Sequence, residues 1–132
     1  MAWQTPICDR TEQDVQAGAD KCYFSAEMLN RIEGNIAFLA DLFRVTVHTK
    51  IWKSTDFLTV SEWKRILQDL DTVRRAYVTL PQTPEIPPLP ATLWTDVNAI
   101  ESILYRKRDL WDRNRANTVY AGELYAGEPG GI

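Results

Sequence analysis

The chain has one histidine, two cysteines and six glycines among 132 residues. With His48 alone in a linking segment, no His-rich metal site and no triad resting on a second histidine can be assembled. Cys8 and Cys22 have 13 residues between them and no CxxC or Cys/His cluster beside them. They read as two free thiols in a reducing cytoplasm, with a disulfide pinning the N-terminal arm as the other arrangement. The few glycines form no phosphate-binding loop, no GxGxxG and no GxSxG. Gly127-Glu128-Pro129-Gly130-Gly131 reads as a tail and opens no helix.

Long apolar runs are missing too. No segment reaches the ~18 apolar residues of a membrane span. Met1-Ala2-Trp3-Gln4-Thr5-Pro6 lacks a basic region followed by an apolar stretch, so the expectation is a chain made and kept in the cytosol, or leaving it by a route other than secretion. Positive charge is in deficit, 15 Lys and Arg against 18 acidic residues, which gives no general attraction to nucleic acid or anionic membranes. The run Arg106-Lys107-Arg108 with Arg113 and Arg115 is interrupted by Asp109 and Asp112. Glu33, Glu62 and Glu101 read as helix-surface residues, and Asp69 with Asp71 as a solvated face. No catalytic residue, cofactor, metal ligand, nucleic acid, membrane or small-molecule substrate is expected.

What the chain does have is a period. Leu29-Asn30-Arg31-Ile32…Ile36, Trp63-Lys64-Arg65-Ile66…Leu70 and Val97-Asn98-Ala99-Ile100…Leu104 recur at 34 residues, followed by Phe43, Tyr77 and Trp111. A fixed period means one supersecondary unit used repeatedly, and such a unit rarely buries its apolar face alone. Leu29, Ile32, Ile36, Leu39 and Phe43 follow at spacings of 3, 4, 3 and 4, as do Trp63, Ile66, Leu70, Val73 and Tyr77. In the third copy Lys107 stands where the seam calls for an apolar residue, while Ile103 and Leu110 widen the face. Ser25 is placed to cap the first helix, and Thr59-Val60-Ser61-Glu62 is a capping box for the second.

The fold class is therefore all-α, a three-helix bundle with helices at about 25–45, 59–78 and 94–115. Residues 25–116 make up the helical domain. Residues 1–24 show no period and read as an extended N-terminal arm. Residues 117–132 carry Tyr120-Ala121-Gly122-Glu123 and Tyr125-Ala126-Gly127-Glu128, which suggests a short β-like C-terminal docking tail. The links are long for an up-and-down bundle, which uses ~2–8 residues. Residues 81–90, with five prolines, read as polyproline II at ~3.1 Å per residue, about the rise of a 20-residue helix over ten residues. Each link is then able to return the chain to its starting end and leave all three helices parallel; an ordinary up-down-up bundle with generous loops is the alternative. The parallel arrangement predicts mutual contact of Phe43, Tyr77 and Trp111. Trp52 and Trp94, in or beside the links, are placed to anchor them.

The segment Trp3…Pro6…Asp9-Arg10-Thr11…Asp14-Val15, followed by Phe24-Ser25-Ala26-Glu27-Met28-Leu29-Asn30-Arg31-Ile32-Glu33-Gly34-Asn35-Ile36, resembles a family of small proteins encoded in phages and prophages of Gram-positive gut bacteria. Members are regarded as virion or minor tail structural proteins. The family pattern has an Asp-Arg-Thr arm, a Leu-Asn-Arg-Ile-Glu-x-Asn-Ile helix, a proline-rich link before the last helix and a Tyr-Ala-Gly-Glu-like end. This sequence matches all four, with Cys8 and Gly34 as departures. Gly34 costs the helix up to about 1 kcal/mol relative to Ala unless close packing requires it.

The resemblance implies a non-enzymatic building block of a phage tail or related contractile particle, at its baseplate, fibre base or tail tip. It would be present in several copies, located in the virion and assembled in the bacterial cytoplasm, with other tail proteins as partners. The aromatic-bearing segments outside the periodic core supply the docking residues expected: Trp3, Ile7, Tyr120, Leu124 and Tyr125. The competing reading is a cytosolic helical adaptor or regulator that binds a partner protein in a groove between helices.

Overall fold

The computed structural model describes residues 3–22, 24–89 and 93–124. The chain is all-α, with helices α1 (Glu12–Gln16), α2 (Ala26–Phe43), α3 (Val60–Ala76) and α4 (Trp94–Leu124), a 3-10 turn at Asp20–Cys22, and no strand among the described residues.

Helix starts follow the capping residues. Ser25 accepts from the Met28 N–H at the head of α2, and Thr59 from the Glu62 N–H at the head of α3. The expected reciprocal half of the second capping box does not form, because the Glu62 carboxylate turns to Arg65 and Lys50. Arg44 ends α2 in the left-handed conformation at φ 59°, its N–H returning to the Ala40 carbonyl.

The 3-4 spaced residues are the core. Ile32, Ile66 and Ile100 are fully excluded from solvent, as are Ile36, Leu70 and Leu104. Helices α2, α3 and α4 each pack on the other two. Contacts advance in the same direction along the partners: α2 meets α4 at Arg31–Glu101 and again at Phe43–Trp111, and meets α3 at Glu33–Arg65 and again at Phe43–Tyr77. Phe43, Tyr77 and Trp111 touch mutually, with ring centroids 5.0 to 5.5 Å apart. Lys107 is buried, 1% exposed, at the sequence position that corresponds to Val73 and Leu39 one and two periods earlier. Its ammonium donates to the Tyr77 and Val78 carbonyls, both at 2.9 Å, and to Thr79 Oγ1 at 2.6 Å. Those oxygens lie just past the end of α3, where helix carbonyls lack partners. A long apolar stem through the core with a cation at the helix end reconciles lysine with a seam position.

Two expected boundaries are corrected. The arm is not extended throughout: Thr11 accepts from the Asp14 N–H and the Asp14 carboxylate from the Thr11 N–H, a capping box that starts α1. The third helix does not stop near residue 115 and give way to a β-like tail. α4 continues through Gly122 to Leu124, so Tyr120 and Leu124 lie on helical backbone. Adding a turn to an established helix costs far less than starting one, and one glycine's penalty of about 1 kcal/mol does not stop it. The i,i+4 pairs Arg108–Asp112 and Arg113–Asp109, both at 3.0 Å, brace the helix just before. Tyr125 and the rest of the tail lie outside the described residues.

Candidate functional site

The polar residues of the first-helix motif converge on two extended segments that run back along the bundle. Residues 45–58 descend from the end of α2 toward the start of α3. The His48 N–H donates to both Asp69 carboxylate oxygens at 3.1 Å, the Lys50 N–H to Glu33 Oε1 at 3.1 Å, and the Trp52 N–H to Asn30 Oδ1 at 2.6 Å. Asn30 Nδ2 returns a bond to the Trp52 carbonyl at 2.9 Å, so one amide side chain pairs with one residue's backbone as a strand neighbour would.

The N-terminal arm repeats this on the other side of α2. Asn35 exchanges bonds with both backbone groups of Gln4, at 2.9 and 2.8 Å. The Ile7 N–H donates to Glu101 Oε1 at 3.2 Å, and Asn98 pairs with the backbone of Arg10 at 3.2 and 2.8 Å. Asn30 and Asn98 are one another's counterparts in the 68-residue double period, as are Glu33 and Glu101.

Both glutamates are completely buried, which corrects their expected place on helix surfaces; Asp69, 4% exposed, is corrected in the same way. Each buried carboxylate has its guanidinium. Glu101 accepts from Arg31 Nε at 2.7 Å and Nη2 at 3.0 Å, and from Arg10 Nη2 at 2.7 Å. Glu33 accepts from Arg65, whose Nη2 lies 3.0 Å from Oε2, and from the Trp52 indole N–H. Hydrogen bonding to Glu33 is the largest influence on Arg65 and holds its guanidinium further in the charged form. For Asp69 burial is the larger influence and pushes its carboxyl up, against the His48 N–H and Arg65, which pull it down. Arg10, 2% exposed, completes its donors with the Lys21 and Ile7 carbonyls, both at 2.6 Å. The first-helix motif and the Asp-Arg-Thr arm thus form a clamp. Gly34, itself buried, sits between Glu33 and Asn35, each holding a different segment.

The expected docking residues fall in different places. Trp3 is half-buried, 5.6 Å from the Phe38 ring, with the Arg108 guanidinium over both rings. Ile7 is half-buried; with Pro6, Cys8, Asp9 and Tyr105 it lines a surface depression of about 440 Å³. Tyr120 and Leu124 lie far along α4 from the arm, and Tyr125 is outside the described residues. Trp52, 3% exposed, anchors the first link as expected, with Lys50 4.0 Å above its ring. Cys8 and Cys22 are free thiols, and burial pushes the Cys8 thiol up, away from the reactive thiolate. Among the described residues no three His, Cys, Asp or Glu converge as a metal would require, and no helix is long and apolar enough to cross a membrane.

Sequence reasoning missed the clamp because a glutamate at a helical position beside the seam is usually solvated. One signal was readable: Arg31 and Arg65, and likewise Glu33 and Glu101, recur in register with the core, and a surface charge has no reason to keep that register. Compared with family models, curated proteins and solved structures, the chain matches none.

Proposed function

We propose that this chain is a non-enzymatic structural component of a phage tail or related contractile particle, a rigid peg that docks to other virion proteins in several symmetric copies. Its three long helices are three uses of one 34-residue unit, arranged parallel so that a single chain imitates a three-stranded coiled coil. The observation that carries this reading is the use made of the motif underlying the family resemblance. Arg10, Asn30, Arg31, Glu33 and Asn35 direct their polar atoms at the chain's own backbone and carboxylates. A motif employed in this way makes a stiff, register-locked body, which is what an assembly subunit requires.

Docking falls to surfaces the clamp leaves open: the depression lined by Pro6, Tyr105 and Ile7, whose backbone alone the clamp holds, and α4 beyond Trp111, which carries Tyr120 and Leu124. Such a protein resides in the virion and is assembled in the host cytoplasm. Deleting residues 117–132 is expected to leave the bundle folded and abolish incorporation into particles; normal incorporation of that truncation removes the docking role. Mass spectrometry of purified particles tests the function itself, since a cytosolic adaptor would be absent from them. The open trough beside Leu67, whose other wall is Ile86, Pro87 and Leu89 of the second link, is the feature that favours the adaptor alternative.

A further inference from the structure

The third returning segment, residues 81–89, is held differently from the other two, and the difference follows the chemistry of proline. Shift each member of the first-link clamp by 34 residues and its counterpart is read from the sequence. Lys50, whose N–H meets Glu33, becomes Pro84, which has no N–H. Glu33, the acceptor, becomes Leu67, and Arg65, which neutralises Glu33, becomes Ala99. Asp69 becomes the fully buried Ile103, and Asn30 becomes Lys64. Donor, acceptor and counter-charge have all been removed together.

We propose that the bundle presents three slots for extended segments and that these positions specify the occupant. Two slots read amide-bearing backbone; the slot along α3 is a recognition surface for a proline-rich segment, which here opens in a turn closed by the Thr83 N–H on the Leu80 carbonyl. A proline-rich segment offers apolar rings and unpaired carbonyls, and the slot answers both. Ile86, Pro87 and Leu89 face Leu67, Lys64 and Asp71 as the walls of an open trough of about 320 Å³, and Pro87 is buried. Here Arg74 Nε donates to the Pro84 carbonyl at 3.1 Å, whereas the other two slots both donate to backbone carbonyls and accept from backbone N–H groups. A glutamate at position 67 would be a buried anion with neither an N–H nor a guanidinium to meet it, which is the costly case for burial of charge. The occupant of this slot is the chain's own 81–89 segment, and its address is written in Leu67, Ala99 and Ile103.

A cycle of full-length variants tests the rule by rebuilding the amide-reading chemistry in the third slot. Leu67→Glu, Ala99→Arg and Pro84→Ala are made singly and together, and the folding equilibrium constant of each is measured by urea denaturation. The triple variant is expected to fold at least tenfold more favourably than the product of the three single effects; agreement with that product within twofold overturns the proposal. Where the variants do not fold, amide hydrogen exchange in the unaltered chain decides. The Trp52 amide is expected to exchange at least a hundredfold more slowly than that of Ile86, its counterpart one period on. Equal protection of the two would mean that the third slot also reads an amide, and the rule falls.

Discussion

The fully buried isoleucines Ile32, Ile66 and Ile100 and the buried Glu101 belong to the same helices, yet they constrain the molecule in different ways. Burial of the isoleucines is unspecific, because apolar contact has no preferred direction. It drives association of the helices and leaves their order and the paths between them open. Glu101 is specific. It accepts from one arginine on α2, from another on the arm and from the Ile7 amide, so it is satisfied only when those elements have arrived in register. Burial supplies the stability, and the buried carboxylates select one arrangement among several that bury as much.

The comparison is broken most severely by Glu101→Ala, which leaves Arg10 and Arg31 buried or half-buried without their anion. A loss of about 4 kcal/mol is expected from denaturant unfolding, at the level of a broken buried pair. The arm should also detach, seen as rapid exchange of the Ile7 and Gln4 amides. Ile66→Ala is expected to cost about 3 kcal/mol by the same measurement while leaving the arm amides protected, because a cavity in the apolar core does not unpair the clamp. A comparable loss of arm protection in both variants would erase the distinction.

A third test sharpens it through Lys107, the one cation within the seam. Burial, with a smaller contribution from Arg74, lowers its ammonium from the ordinary lysine value to about 8. Between about pH 8 and the ordinary value near 10.5 the unfolded chain binds the proton and the folded chain does not, so stability rises with pH across that window. Below pH 8 the penalty is fully present. The slope is expected to approach about 1 kcal/mol per pH unit and to be absent in Lys107→Met, measured as urea midpoints from pH 7.5 to 9.5. Parallel profiles for the two proteins would refute it. The smallest effect is expected from Thr59→Ala, about 1 kcal/mol, since the Thr59 hydroxyl satisfies one N–H at the exposed head of α3.

The seam was legible because burial repeats it: Ile32, Ile36, Leu39 and their counterparts keep helical spacing whatever surrounds them. Ser25 and Thr59 followed from the same local logic, while the meeting of Phe43, Tyr77 and Trp111 followed from the 34-residue period and the reach of the links. The clamp was not, because the partners of Glu101 lie 70 and 91 positions away at Arg31 and Arg10, and no local pattern tells a paired glutamate from a solvated one. α1 was missed although Thr11 and Asp14 spell its capping box, because five residues are too few to show a period. The continuation of α4 was not legible because Gly122 argues locally for a turn, and its weight against the about eight turns of helix before it does not show in a short window.

The meeting of Phe43, Tyr77 and Trp111 also bears on how fast the chain can fold. In an up-and-down bundle the first contacts form across a short turn, and search times are brief. Here the three rings that touch are 34 and 68 positions apart. A long loop must therefore close before any interhelical contact is gained, so that although its secondary structure is helical, the chain faces the search problem of a β-sandwich. Folding in milliseconds or slower, where a helical hairpin bundle of this size takes microseconds, is the consequence of carrying each link back along the bundle.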